Sequence, residues 1–562
     1  MTANSNYIYS ASSAVYSCPV SMTSGAARLF LQQTKDLSRE HPFHEVYRRL
    51  TARQDNWISS QWMTERPGGS DVQNSETVAI HSPQKSKTNV KGGLGRFHEG
   101  DYLVSGYKYF CSATDCDIAL MLAKTESGHL SLFVAPTKRL EEDAHGETRL
   151  VTNGIRFHRL KTKMGTKELP TAELELKDVR AWRVGPIDRG IATIATLLNV
   201  TRTHNFITAL SCWRRGMVRA TRRQSFNFAR LTDQVVGNHK ELCSSASNNQ
   251  PAPVDLSDAF ATIGEDGDEV SRYIQTQSHR ETTLLTFSTP AGLLQLAFFT
   301  TSLLSYVDNG FPSKTAHAPP LPEAGPQATI VLRALTATSK GVICKVACTA
   351  LQECQEGMGG VGYMDEPDEP EYNISRLYRD TAANMTWEGT TNVLSSEVVR
   401  HLMNKDNLDV VGDWVEKSVA AIEDESLKAT LEMSWRSLVQ HMEARRHDLS
   451  VLLADGREIM FSLAWVVSGI LLSHDSQRDG NEIAVEIARR WVLDGEGGVG
   501  EHVLKHIVDH GKQPQQRHSD RERINTDCRI VWSVDLPRNA AAGFRAPTTA
   551  TENKVQTAPA KP

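Results

Sequence analysis

The sequence predicts an α+β protein that is mostly α, with a middle β-barrel-like domain and a C-terminal helical bundle. Two observations carry this prediction. Apolar residues recur with a period of two in several segments between residues 61 and 182, and from Ile194 onward they recur at helical spacing. A period of two indicates strands with one buried face, whereas helical spacing indicates amphipathic helices. The two regions are therefore expected to fold as separate layers.

The bulk composition places the chain among ordinary globular proteins. It has 562 residues, 40% of them hydrophobic and 23% charged, with a formal net charge of −5. Such a composition excludes a disordered or generally basic protein, and the length predicts two to four domains or one large one. The nine cysteines form no CxxC pair, and the closest group, Cys344, Cys348 and Cys354, lacks histidines at zinc-ligand spacing. We expect reduced thiols, an intracellular protein and no metal.

Residues 1–60 are partly helical, but too short to bury an apolar face without partners. Residues 61–182 form the predicted middle β domain. In TAELELKDV, Ala172, Leu174 and Leu176 alternate with charged residues, and IALMLAK and LSLFVAP are typical of strands.

Residues 183–402 are predicted to form a four-helix-bundle-like domain with an insertion near 243–273. Its expected helices cover Ile194 to Arg215, Leu284 to Val307 and Ile330 to Leu351. Residues 403–510 continue as extra amphipathic helices, and 511–562 are polar, of low complexity and predicted to be disordered. The two longest apolar runs, Leu293 to Val307 and Met460 to Leu472, are too short or too polar for a membrane span and favour buried helices.

The first chemical motif is WMTERPGGSDV, at Trp62 to Val72. Gly68 and Gly69 free the backbone for close approach, while Thr64 and Ser70 can hydrogen-bond an anionic or heteroaromatic ligand. The same letters also describe an ordinary turn, which is the more frequent case.

The second motif, GYKYFCS, begins at Gly106 and contains Phe110 and Ser112. By itself it is a half-buried aromatic strand. The third runs from Gly357 to Asn392 and ends in WEGTTN, with Glu388 just before an apolar helix that Thr390 or Thr391 can cap. Local chemistry makes Glu388 only a carboxylate favoured by the dipole at the helix start.

Taken together and in this order, MTExxGGSDV, GxKxFxS, GGxGY and WEGTxN resemble the acyl-CoA dehydrogenase superfamily, and with RLYRD they are most similar to its AidB-like branch. The resemblance covers about Cys18 to His401. It implies FAD as cofactor and an acyl-CoA dehydrogenase-like fold. Because the family places a complete helical domain before the β domain, residues 1–60 are interpreted as the remnant of a truncated one.

The resemblance also implies site residues. Glu388 matches the base that removes the α-proton of an acyl-CoA or related acyl thioester while hydride passes to flavin N5. The implied FAD-binding residues are Met63, Thr64, Gly69, Ser70, Phe110, Ser112, Arg223, Glu356, Gly359, Gly360, Trp387, Thr390 and Asn392. By the same resemblance, Phe110 is expected to cover the flavin and Ser112 to reach N5. Arg223 matches an arginine that contacts the FAD pyrophosphate from a neighbouring subunit.

Two arginines are candidate substrate ligands. Arg202 matches a position in the AidB-like substrate cavity, and Arg400 follows Glu388 by about three helical turns. The alternative for both is a salt bridge to Asp380 or Glu397.

The predicted function is therefore FAD-dependent α,β-dehydrogenation by a homo-oligomer, a dimer or a tetramer, with the cytoplasm as the expected location and mitochondria or peroxisomes as alternatives. An AidB-like DNA-associated flavoprotein of the alkylation response and an inactive flavin-binding homologue are the alternatives. Residues 401–510 carry 11 lysines and arginines against 20 aspartates and glutamates, the opposite of what phosphate binding favours.

Overall fold

The computed structural model describes residues 3–83, 95–142, 147–221, 277–312, 321–365, 373–480 and 482–493. Within these ranges the chain forms a helical N-terminal segment, a strand barrel and a large helical bundle, as the sequence predicts. Arg223, the insertion near 243–273 and the tail 511–562 lie outside the described residues.

Three helices precede the barrel: α1 Ala3–Tyr9, α2 Ser17–Gln33 and α3 Pro42–Thr51. Helix α3 starts with proline at its first position, where no intrahelical donor is needed, and the His41 side chain accepts a hydrogen bond from the backbone of Phe43. Helix α2 packs closely on the bundle because of a glycine. A Cβ on Gly25 would lie 2.7 Å from Cγ of Leu197.

The described part of the middle domain, which omits residues 84–94 and 143–146, contains nine strands: β1 Ser59–Trp62, β2 Val78–His81, β3 Tyr102–Ser112, β4 Ile118–Lys124, β5 Leu130–Pro136, β6 Lys138–Glu142, β7 Thr148–Thr152, β8 Ile155–Leu160 and β9 Thr171–Val184. The order β4-β2-β3-β9-β5 closes on itself, because β5 also pairs with β4. Strand β1 joins β4 in parallel, β8 joins β9, and β6 with β7 forms a separate hairpin.

The barrel interior confirms the period of two. Ala172, Leu174 and Leu176 of β9 are buried, and the glutamates between them are partly exposed. Strands β4 and β5 are buried almost throughout. Trp62 at the end of β1 and Phe133 of β5 are the largest of the buried apolar side chains inside the barrel.

Among the described residues the bundle has three long helices, which extend the predicted ones: α4 Gly190–Thr221, α5 Gln277–Asn309 and α6 Pro326–Gly357. The following helices are α7 Gly360–Tyr363, α8 Ile374–Asn384, α9 Thr391–Leu402, α10 Asn407–Ala420, α11 Glu425–Ala444, α12 Leu449–Ala454, α13 Gly456–Asp479 and α14 Glu482–Val492. One continuous apolar core joins residues of α4 to α6 with residues of α10 to α14.

Two helical segments are long and apolar enough to cross a membrane by composition, Pro290–Asn309 and Gly456–Arg478. Both lie in the bundle core, with 83% and 89% of their apolar windows buried. They include the two longest apolar runs of the sequence, and the prediction that those runs form buried helices is confirmed.

Candidate functional site

The backbone turns sharply at Glu388, between α8 and α9. Glu388 has φ +59° and Gly389 has φ +109°. A left-handed conformation is uncommon for a residue with a side chain and persists only where its surroundings hold it. The next residue, Thr390, is the N-cap of α9 and accepts a hydrogen bond from the backbone of Val393 at 3.5 Å. The turn aims the Glu388 side chain between the barrel and the bundle.

Each oxygen of the Glu388 carboxylate accepts a hydrogen bond from a different domain. The side-chain amide Nε2 of Gln61, on β1, donates to Oε1. The hydroxyl of Thr201, on α4, donates to Oε2 at 2.8 Å. Burial raises the pKa of the Glu388 carboxyl above its ordinary value, and these two hydrogen bonds oppose the rise. The carboxylate is thus fixed in direction and easier to protonate than a surface glutamate.

Two cations from the bundle lie beside the same turn. Arg202 Nε donates to the backbone carbonyl of Glu388 at 3.2 Å, and its two terminal nitrogens bind Glu397 at 3.0 and 2.7 Å. Lys340, on α6, donates to the carbonyl of Gly389 at 2.5 Å and is only 1% exposed. Burial lowers the pKa of Lys340 to about 8.

The predicted flavin loop follows β1 and is anchored to β3. The backbone of Tyr109 donates to the carbonyl of Thr64 at 2.8 Å, and Met63 and Thr64 are half-buried. Gly69 and Ser70 are exposed. The loop therefore combines a fixed beginning with a glycine-serine tip that is accessible to a ligand.

A buried ion pair, which the sequence reading missed, holds this loop in place. Lys108 Nζ and Glu65 Oε1 are 2.6 Å apart, with side chains 0% and 2% exposed. Glu65 also accepts from the backbone of Glu76 at 2.6 Å and of Thr77 at 3.2 Å, while Lys108 donates to the carbonyl of Leu122 at 2.8 Å. Glu65 is the glutamate of MTE and Lys108 is the lysine of GYKYF. Opposite charges in two motifs that are otherwise partly apolar were the signal from which this ion pair could have been predicted.

Phe110 and Ser112 both lie near the end of β3. Phe110 is 47% exposed, although it belongs to a strand with many buried residues. The hydroxyl of Ser112 lies 3.0 Å from that of Thr171. Burial raises the pKa of the Cys18 thiol to about 12, and the charge of Glu388 adds to the rise, whereas Lys163 and Ser112 oppose it. Ser112 and the Glu388 carboxylate are therefore both close enough to Cys18 of α2 to act on its thiol.

The remaining predicted residues lie at the ends of helices. Trp387 is half-buried and its indole donates to the side-chain oxygen of Asn384 at 2.8 Å. Asn392 is exposed and accepts from Arg457 Nε at 2.7 Å. Glu356, Gly359 and Gly360 are exposed around the end of α6, and a Cβ on either glycine would meet open space.

The two candidate substrate arginines differ in their surroundings. Arg202 is buried and forms a salt bridge with Glu397. Glu397 is one of the two carboxylates that the sequence offered as its partner. Arg400 is exposed on α9, and among the described residues it makes no contact with the Glu388 carboxylate. The structure brings only Arg202 into the site.

These residues fit FAD. An exposed aromatic ring, a neighbouring hydroxyl, a glycine-serine loop and open space beside two glycines are what a flavin and its phosphates require. Within the described residues no group of three or more histidines, cysteines, aspartates or glutamates could hold a metal ion, and all seven cysteines there are free.

A mostly helical chain with a middle strand barrel and a carboxylate between barrel and bundle defines the acyl-CoA dehydrogenase fold. Family models agree. Residues 60–179 match the acyl-CoA dehydrogenase middle domain, and residues 300–403 match the acyl-CoA oxidase C-alpha1 domain.

Two curated relatives extend the match over most of the chain. Acyl-CoA dehydrogenase family member 11 of Caenorhabditis elegans is 31% identical over 87% of this chain and 70% of that protein. The putative acyl-CoA dehydrogenase AidB of Escherichia coli is 26% identical over 86% of this chain and 72% of that protein. The chain belongs to the acyl-CoA dehydrogenase family.

Solved structures show the same fold. Caenorhabditis elegans ACDH-11 in complex with C11-CoA has a TM-score of 0.67 and 27% identity, covering 96% of this chain and 78% of that one. An acyl-CoA dehydrogenase from Bacillus anthracis complexed with FAD has a TM-score of 0.54 at 14% identity, covering 86% and 73%. The second likeness concerns the fold alone.

Proposed function

We propose that the protein is an FAD-dependent oxidoreductase that introduces an α,β double bond into an acyl-CoA or related acyl thioester. The observation that carries the proposal is the Glu388 carboxylate, which accepts hydrogen bonds from Gln61 of the barrel and Thr201 of the bundle. Family membership and the C11-CoA complex of ACDH-11 support the substrate class.

In the proposed reaction, Glu388 removes the proton from the α-carbon while the β-carbon loses a hydride. FAD, when bound, supplies N5 as the acceptor of that hydride. The carboxylate must be ionised to act, and its burial raises the basicity that the step needs. Thr201 and Gln61 hold the two oxygens so that the proton acceptor keeps its direction.

The proposed contacts with FAD use residues of β3, of the loop after β1 and of the end of α6. Phe110 would pack on the flavin, Ser112 would reach N5, and the loop at Gly69 and Ser70 would bind polar groups of the cofactor. Gly359 would let a phosphate approach the backbone. Assembly as a homo-oligomer belongs to this proposal.

An anaerobic titration tests the function. The purified protein is expected to be yellow, and a panel of acyl-CoAs of increasing chain length is expected to bleach its flavin absorbance with at least one member. A yellow protein that no acyl-CoA reduces would contradict the proposal and indicate the inactive flavin-binding homologue, and a colourless protein that binds no added FAD would contradict both.

DNA association is the second function class that the AidB-like resemblance leaves open. The adjacent arginines Arg445 and Arg446 of the extra helices do not favour it, because Arg446 binds Glu443 at 3.0 Å and Arg445 lies 3.6 Å from Asp455. Salt-dependent binding of a DNA duplex at low ionic strength would be its signature. We expect none.

A further inference from the structure

Two cations from different helices bind successive backbone carbonyls at the turn that carries Glu388. Arg202 of α4 binds the carbonyl of Glu388, and Lys340 of α6 binds that of Gly389. Arg202 has a carboxylate of its own in Glu397. Lys340 forms no salt bridge with any carboxylate in the described residues, although it is almost completely buried.

The backbone explains why such donors are needed. Glu388 and Gly389 both have positive φ, and because they precede the N-cap Thr390 their carbonyls lie outside the hydrogen bonds of α9. Buried carbonyls without donors are costly, and a left-handed glutamate is strained. A long side chain that ends in an ammonium supplies a donor from a neighbouring helix without occupying the space around the carboxylate.

Lys340 also needs a compensating charge. The charged and titratable groups around its ammonium are Glu388, Arg202 and Cys344. Arg202 repels it and is itself neutralised by Glu397, and burial raises the pKa of the Cys344 thiol to about 12, so that thiol stays neutral. Glu388 is therefore the negative charge that balances Lys340.

We propose that Lys340 is a positioning residue for Glu388: it fixes the turn through the Gly389 carbonyl, and its positive charge stabilises the ionised carboxylate. The second part rests on the proposed function, whereas the first part concerns the backbone alone. Lys340 belongs to none of the sequence motifs, because it lies 49 positions before Gly389 on another helix.

The charge of Lys340 acts on the acidic limb of the reaction. Glu388 is ionised only above its own pKa, and Lys340 is charged below a pKa of about 8. In that range the positive charge lowers the pKa of Glu388, so the carboxylate is ionised at a lower pH than it would be beside a neutral side chain.

Three variants test the proposal: Lys340→Met, Lys340→Arg and, as control, Lys345→Met, which removes an exposed lysine from the same helix. Hydrogen exchange of the peptide 384–394 is measured first, without substrate. We expect it to be about tenfold faster in Lys340→Met and unchanged in Lys345→Met and Lys340→Arg, because the loop loses a holding contact only in the first. Equal exchange in all three would overturn the positioning role.

The pH profile of flavin bleaching by an acyl-CoA tests the charge. Lys340→Met should move the acidic limb up by roughly one pH unit, the lower end of the effect of a nearby opposite charge. Lys340→Arg should keep the acidic limb, since arginine supplies the same positive charge. A purely structural lysine would lower the rate and leave the acidic limb of Lys340→Met at the wild-type pH, which would refute this part.

The two arms separate the possible failures. If the wild-type protein is not reduced by any acyl-CoA, the proposed function fails, but hydrogen exchange still decides whether Lys340 holds the turn. If Lys340→Met does not fold, Lys340→Gln, which keeps a donor without the charge, replaces it in both measurements, and an acidic limb at the wild-type pH would refute the charge role.

Discussion

Replacing Lys108 with methionine should open the predicted flavin loop while leaving the rest of the barrel folded. The change removes one partner of the buried pair with Glu65 and leaves that carboxylate, 2% exposed, without its countercharge. Breaking a buried pair in this way costs about 3–5 kcal/mol. Methionine fills much of the space of the lysine stem, so the lost charge and its hydrogen bonds dominate.

Native-state hydrogen exchange measures this loss of stability at the backbone amides that the ion pair holds. The backbone amides of Glu76 and Thr77 donate to Glu65, so their protection reports on the loop. Since about 1.4 kcal/mol corresponds to a factor of ten, the protection should fall roughly 10²- to 4 × 10³-fold. Lys177→Met, which removes an exposed lysine from β9, is the control. If Lys108→Met exchanges like this control, the ion pair does not hold the loop.

Three further changes follow from the contacts around the site. Thr201→Val removes a hydrogen bond that lowers the pKa of Glu388, so the acidic limb of flavin bleaching should move to higher pH; an unmoved limb would contradict this. Arg376→Met removes a donor from the carbonyl of Ala11 at 2.7 Å, and limited proteolysis should then cut the first sixteen residues faster than in wild type. Gly165→Ala places a Cβ 2.2 Å from a backbone oxygen of α8, so the melting temperature should fall by several degrees, and an unchanged value would show that the barrel does not dock there.

The fold was predictable because burial leaves a local pattern. The alternation in β9 and the apolar spacing of α4 and α6 each stand in one continuous segment, and the structure extends these elements by a few residues at their ends. Helix ends are set by capping groups and by tertiary contacts, which explains the difference. Thr390 as the cap of α9 is confirmed for the same local reason.

The hydrogen-bond partners of Glu388 could not be predicted in this way, because no local sequence pattern marks them. Gln61 lies 327 positions away and Thr201 187 positions away, and neither type of residue signals catalysis. Lys340 stands in a buried stretch of α6, and a lysine among apolar neighbours was the only hint. The resemblance identified the carboxylate, but only the three-dimensional structure assigns the groups that orient it.

The variant Glu388→Gln tests most directly whether Glu388 removes the α-proton. Glutamine keeps the size and one acceptor oxygen for the neighbouring hydroxyl, so FAD content should stay equal to wild type. Rapid mixing with a bleaching acyl-CoA should then give flavin reduction slower by about 10²- to 10⁴-fold, the usual contribution of a general base. Reduction of the FAD-loaded variant at the wild-type rate would contradict the account.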